Sequence, residues 1–329
     1  MSQTYPHPQE FAYQFAARTI FLVDEFFRIN DNFVRRNIVL LPLKGIALTQ
    51  YIYPDPTKRF IGDIDILVKP QDCLAAREAL EQAGYRCERF GFFPQKPYSI
   101  FLNSAVFIKE TSIPYFVHLH WHILNTTLPF FIYTIPAQDI WEKAAKQTFA
   151  GRKFLMMEPH HLLVYLCIHA LHHSYEQESY FIDIAKVLDF YQRQLDWECL
   201  AEVARRWNAD HALYFGLYLS SDIAGAEVPA AFLEKIKPKR FSNASNKVIK
   251  RILADKKGYH NLAYPIFLDM AGSWPGKIRF VFQTVFPPRQ VLEQVYGRDT
   301  KSIFGLYVRK FRSALVQFFR LLGSFGRQK

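Results

Sequence analysis

The chain has 329 residues, carries a formal net charge of +11 and is half hydrophobic, with 31 Phe and 18 Tyr. Its length exceeds one small compact domain and its apolar content supplies a large core, so disorder is excluded and two domains are expected, 1–150 of mixed strand and helix and 151–329 mostly helical. Cys73, Cys87, Cys167 and Cys199 show no Cys-x-x-Cys spacing, the first residues lack the layout of a signal peptide, and no run of about 18 apolar residues occurs, so the expected setting is a reducing cytoplasm without a spanning helix.

A long helix is expected over 8–36. Next, Ile38-Val39-Leu40-Leu41-Pro42-Leu43 reads as a short buried strand that hands Lys44-Gly45 to a helical pattern over 46–51. Such a junction suits phosphate: Gly45 allows close backbone approach, a helix N-terminus offers unpaired N–H groups, and Lys44 adds positive charge. Taken alone, a plain strand-to-helix turn with a surface lysine is the better reading. The segment 60–68 then has the period of a strand. Asp63 and Asp65 share a face about 6–7 Å apart, while Ile64, Ile66 and Val68 fill the other. Two carboxylates so placed can share Mg²⁺, a hard cation that also takes water and substrate phosphates. Arg59, just upstream, reads either as a phosphate contact or clamp on the loop 53–58, or as a solvated charge.

A helix follows over 72–84, then extended segments at 85–90, 98–102, 104–108 and 115–121. On the last, Phe116, His118, His120 and His122 alternate with Val117, Leu119 and Trp121, so three histidines share a face. From 137 onward nearly everything reads as helix. The segment 159–189 is a helical hairpin in which His169 and His173 share a face, and Asp183 on the returning helix is expected to hydrogen-bond them.

Leu43-Lys44-Gly45 and Arg59-Phe60-Ile61-Gly62-Asp63-Ile64-Asp65-Ile66-Leu67-Val68, followed by Leu119-His120-Trp121 and by Leu166-Cys167-Ile168-His169-Ala170-Leu171-His172-His173 with Asp183 downstream, resemble the uncharacterised nucleotidyltransferase family of the polymerase-β-like superfamily. The resemblance implies an α+β fold: a polymerase-β-like nucleotidyltransferase mixed sheet with flanking helices, then a mostly α-helical C-terminal domain. It also implies metal-dependent transfer of a nucleoside monophosphate from an NTP to an acceptor hydroxyl on a small molecule, a lipid-linked precursor or a protein. Asp63 and Asp65 would then hold Mg²⁺, or Mn²⁺, and Lys44, Gly45, Arg59 and Gly62 would face the triphosphate.

The chain departs from the superfamily pattern at one point. A third carboxylate is usual two residues before the His of Leu-His-Trp, and His118 stands there. An imidazole can serve as base or metal ligand but brings no negative charge. His118 is therefore expected in the site as catalytic group and ligand, with metal preference moved toward Mn²⁺. Glu110, closing the strand-like segment 104–110, is the alternative third carboxylate. Two other readings stay open: a relative that keeps NTP or metal affinity but has lost turnover, and a Zn²⁺ or Mn²⁺ metallohydrolase built on the histidine face with His169, His172, His173 and Asp183.

From 301 to 329 the chain has seven basic residues, Lys301, Arg309, Lys310, Arg312, Arg320, Arg327 and Lys329, no acidic ones, and dense aromatic and aliphatic side chains over 303–322; the stretch 277–286 has the same character. This reads as a basic amphipathic helix. Three roles are open to it: docking on the protein body, peripheral contact with anionic lipid at the inner membrane face, and, weakest, nucleic acid, for which no motif is present.

Overall fold

The computed structural model describes residues 8–53, 55–89, 103–124, 132–239, 241–259, 262–289, 292 and 302–326. The chain divides into two compact units, one of 1–99, 103–125 and 139–158, the other of 100–102, 126–138 and 159–329.

The first unit opens with α1 (Pro8–Arg35), whose Leu22, Phe26, Ile29 and Phe33 recur at helical spacing and are buried. It continues through β1 (Leu40–Pro42), α2 (Lys44–Tyr51), β2 (Ile64–Val68), α3 (Cys73–Gln82), β3 (Arg86–Arg89), β4 (Ser104–Lys109) and β5 (Tyr115–His120); after α4 (Ala137–Lys143) come β6 (Ala145–Phe149) and β7 (Arg152–Met156). Among the described residues five strands form one mixed sheet in the order β1-β2-β5-β4-β3, with β2 and β5 parallel and the other neighbours antiparallel. Every residue of β2 is buried. A strand covered on both faces reads as a near-continuous apolar run, which Ile64, Ile66, Leu67 and Val68 supply, leaving Asp65 as the one charge within it. α1 is tied to the β4–β3 edge of the sheet by a buried carboxylate: Glu25 accepts from the Tyr85 hydroxyl at 2.9 Å and from Lys109 Nζ at 3.0 Å.

Three expectations are corrected here. The strand expected over 60–68 begins only at Ile64, so Asp63 stands on the loop before it. The strand expected over 115–121 ends at His120, and His122 turns into the following bend, where its Nδ1 accepts the Leu124 N–H at 3.1 Å. The face of three histidines thus keeps two. The antiparallel β6–β7 hairpin interrupts the mostly helical pattern expected from 137, and its turn at Ala150-Gly151 is where the sequence set a domain boundary. Its first strand, Ala-Lys-Gln-Thr-Phe, has no alternating apolar face, and α1 supplies what holds the pair. Arg152 lies over the ring of Phe27 and reaches Asp24 at 3.3 Å and Asp31 at 3.0 Å, and Asn30 donates to the Lys153 carbonyl at 3.2 Å. The strand expected at 98–102, and Phe90, lie outside the described residues.

The second unit is helical: α5 (Pro159–His172), α6 (Ser179–Tyr191), α7 (Trp197–Arg206), α8 (Asp210–Ala224), α9 (Ala230–Ile236), α10 (Asn243–Asp255), α11 (Tyr264–Met270), α12 (Trp274–Val285) and α13 (Ile303–Gly326). α5 is buried along almost its whole length and packs so closely on α8 that a Cβ at Gly216 would lie 2.5 Å from Cys167 Sγ. His169 and His173 cluster with Tyr180, the two imidazole centroids 4.5 Å apart and Tyr180 edge-on to His169 at 5.3 Å, while Asp183 is buried on α6. Among the described residues no helix is long and apolar enough to cross a membrane.

Candidate active site

β2 and β5 pair with Asp65 opposite His118 and Leu67 opposite His120. Directly paired residues point to the same face and residues two apart repeat it, so the aspartate of β2 and both histidines of β5 project together. His120 Nε2 lies 2.9 Å from Asp65 Oδ1, and Lys44 Nζ, from the start of α2, lies 2.7 Å from the same oxygen. His118 Nδ1 stands between the carboxylates, 3.5 Å from Asp65 Oδ1 and 3.7 Å from Asp63 Oδ2.

Burial differentiates these groups. By itself it would raise the Asp65 carboxyl, but the Lys44 ammonium, then the His118 and His120 rings, oppose it and hold that carboxyl well below the ordinary range. Asp65 is therefore an anion. Burial drives the pKa of His120 down to about 4, so its ring is neutral and must present Nε2–H to Asp65. Its Nδ1 is then left buried, with no partner among the described residues. For His118 burial also pushes downward, yet contact with Asp65 and the charges of Asp65 and Asp63 prevail and raise its pKa. Asp63, with 40% of its side chain exposed, is raised by partial desolvation and then by the charge on Asp65.

Asp63 reaches this cluster because α1 grips the loop that carries it. Arg18 donates to the Gly62 carbonyl at 2.9 Å, Phe15 packs edge-on to Phe60 with centroids 4.6 Å apart, and the Thr19 hydroxyl stands 3.5 Å from the Arg59 carbonyl. Arg59 turns its guanidinium to the carbonyl of Phe60. Beneath the loop, Ile61 fills the space that a side chain at position 45 would need: a Cβ there would lie 2.7 Å from Ile61 Cγ2. Gly45 is thus a packing requirement of the Asp63 loop. Lys44 beside it has a φ of 49°, in the left-handed region that costs a non-glycine residue roughly 1–2 kcal/mol, and its ammonium pairs with Asp65 in that conformation. Gly45→Ala is expected to push Ile61, and with it Asp63, outward. The expected result is a stability loss of about 1–3 kcal/mol from overpacking, read by urea denaturation.

Asp63, Asp65, His118 and Lys44 converge, with Gly45, Gly62 and Arg59 flanking them. Lys44, expected toward the triphosphate, turns its ammonium to Asp65. Glu110 does not join. Its exposed carboxylate pairs with Arg86 at 3.4 Å, and the register of Val106 opposite His118 sets it four residues along, about 13 Å away. One member was not expected, Arg18, while His120, expected on the histidine face of β5, joins as the buried partner of Asp65. Arg18 sits 44 residues from the Gly62 carbonyl it holds, with no local pattern to mark it.

Asp65, His118 and His120 each offer a ligand atom, all within 4.8 Å of one another, and Asp63 stands beside them. Carboxylate oxygens joined by imidazole nitrogen fit a divalent cation of borderline softness as well as a hard one. No curated protein matches the chain in sequence. A family model described as uncharacterised nucleotidyltransferase matches residues 6–225, from the N-terminal helix through the sheet to the end of α8. A match of that extent, over the very segments that build the site, makes this chain a member of the uncharacterised nucleotidyltransferase family.

Proposed function

We propose that the chain moves a nucleoside monophosphate from an NTP to an acceptor hydroxyl, at a divalent cation held by Asp63, Asp65 and His118. The observation that carries this reading is the meeting of the two carboxylates on His118 Nδ1, at 3.7 and 3.5 Å, from a loop and two parallel strands. When bound, the cation neutralises charge on the phosphates and on the attacking and leaving oxygens. The acceptor oxygen bonds to the α-phosphorus, the bond to pyrophosphate breaks, and the hydroxyl proton leaves to solvent. Asp65 is ready for this as an anion. Lys44 keeps it so and adds positive charge where α2 begins, beside the backbone N–H groups of that helix. His118 supplies a neutral donor where the superfamily pattern has a third carboxylate, so the site carries one negative charge fewer and leans toward Mn²⁺ over Mg²⁺. The acceptor belongs to a small molecule, a lipid-linked precursor or a protein.

A second reading, a relative that binds NTP without turning it over, is favoured by one observation. The Lys44 ammonium already neutralises the anion on which a cation would depend. Calorimetric titration of ATP, GTP, CTP and UTP with Mg²⁺ or Mn²⁺, beside an assay of pyrophosphate release, separates the two. Metal-dependent binding and release, both lost in Asp63→Asn, is the expected result; binding without release supports the second reading, and no binding under any condition overturns both.

A further inference from the structure

The C-terminal part of the helical unit presents a surface that nucleotidyl transfer does not use. α12 and α13 lie beyond residue 225, outside the stretch matched by the family model. On α13 the expected docking is present but takes only one side of the helix. Leu306 is buried, Tyr307 donates to the Pro287 carbonyl at 2.9 Å, and its ring packs on Phe286. Phe304, Val308, Phe311 and Leu315, spaced four, three and four residues apart, form a stripe on a different face, and all are exposed, Phe304 to 75%. α12 repeats the arrangement: Phe280 is buried, while Trp274, Ile278, Val281 and Phe282 stand in solvent, Trp274 with 78% of its surface open. A groove of about 700 Å³, walled by Pro265, Leu268, Ile278 and Val285, opens along the α12 stripe.

Two neighbouring helices with exposed aromatic stripes exceed the scattered apolar residues of an ordinary surface. Charge identifies the occupant. From 274 to 292 the sequence has Lys277, Arg279 and Arg289 and no acidic residue, and from 301 to 329 it has seven basic residues and again none acidic. Arg279, Arg309 and Arg312 are exposed beside the stripes. An interface between copies of this chain would set these like charges against one another, and nucleic acid has no use for an aliphatic stripe such as Ile278, Val281, Val308 and Leu315. A surface with acyl chains beneath anionic head groups satisfies both features at once.

We infer that α12 and α13 form a peripheral membrane-binding surface, with Trp274, Ile278, Phe282, Phe304 and Phe311 entering the head-group boundary of an anionic bilayer and the exposed arginines beside them pairing with its phosphates. Docking there brings no new bond and needs no spanning segment. It holds whether the active site turns NTP over or only binds it.

The test is co-sedimentation of the full chain with vesicles of phosphatidylcholine alone and of phosphatidylcholine mixed with phosphatidylglycerol, with tryptophan emission recorded on both. The expected result is pelleting with the anionic vesicles and a blue shift that Trp274→Phe removes. A Phe304→Glu, Phe311→Glu variant should lose at least about tenfold in partitioning. Both residues are exposed, so circular dichroism and a thermal melt should match the wild type. Salt should weaken the binding without removing it, because the apolar stripes remain. Equal pelleting of wild type and variant, a wild type that stays in the supernatant, or a lipid-free dimer that the same substitutions split would each overturn the inference.

Discussion

Asp65→Asn is expected to end nucleotidyl transfer and to destabilise the protein, whereas Asp63→Asn should end transfer alone. The difference follows from what each carboxylate touches. Asp65 has 6% of its side chain exposed and meets Lys44 at 2.7 Å and His120 at 2.9 Å. An asparagine in its place leaves the Lys44 ammonium, itself only 19% exposed, without a counter-charge. Breaking a buried pair costs roughly 3–5 kcal/mol, and the lower end applies because Lys44 keeps part of its surface in water. Asp63 stands on a loop with 40% of its side chain exposed, where substitutions typically change stability by no more than about 0.5 kcal/mol. Both variants should lose on the order of 10³-fold in pyrophosphate release, since each removes charge that stabilises the transferring phosphoryl group. Urea denaturation beside the kinetic assay checks the pair. A shared drop in stability would show that Asp63 is structural, and a stable Asp65→Asn would show that the Lys44 pairing contributes little.

The second large effect is expected at His118. With its pKa raised by Asp65 and Asp63, the imidazole holds a proton that a cation must displace. Metal affinity should therefore climb as pH rises through the ordinary histidine value of about 6.5 and beyond it, and level off only above the raised pKa. His118→Asp substitutes a carboxylate that loses its proton several pH units lower, so the slope between pH 6 and 8 should flatten. The added negative charge should also move preference from Mn²⁺ toward Mg²⁺ by about tenfold or more. His118→Ala should lower affinity for both cations by at least about tenfold without the shift in preference. Calorimetric titrations of MnCl₂ and MgCl₂ across that pH range provide the readout, and an unchanged slope in His118→Asp would place the titrating group elsewhere.

Much of this site is visible in the chain before it folds, and the visible parts share a physical property. The Asp-x-Asp spacing, the Lys44-Gly45 junction and the His-x-His of β5 each join residues within two positions of one another, where period-two alternation and local turn preference decide geometry. Asp63 was placed on the strand, beside Asp65, whereas it stands on a loop and meets His118 because Arg18, Thr19 and Phe15 hold that loop from α1. Gly45, expected to allow close ligand approach, also leaves the space that Ile61 fills. The β6–β7 hairpin was missed because α1, more than a hundred residues earlier in the chain, supplies its partners through Asp24, Asp31 and Asn30.

The amino-acid sequence by itself determined the class of fold, the two carboxylates, the histidine face of β5 and the basic, aromatic character of the C-terminal helix, because each is set by side-chain type and short-range periodicity. The tertiary structure alone decided that β2 lies parallel to β5, so that Asp65 faces His118; that Lys44 neutralises Asp65; that Glu110 points to Arg86; and that one side of α13 is docked while another stays open. Those outcomes depend on which surfaces bury one another across 20 to 55 residues of chain, and alternation along a strand or helix specifies a face without specifying what will cover it.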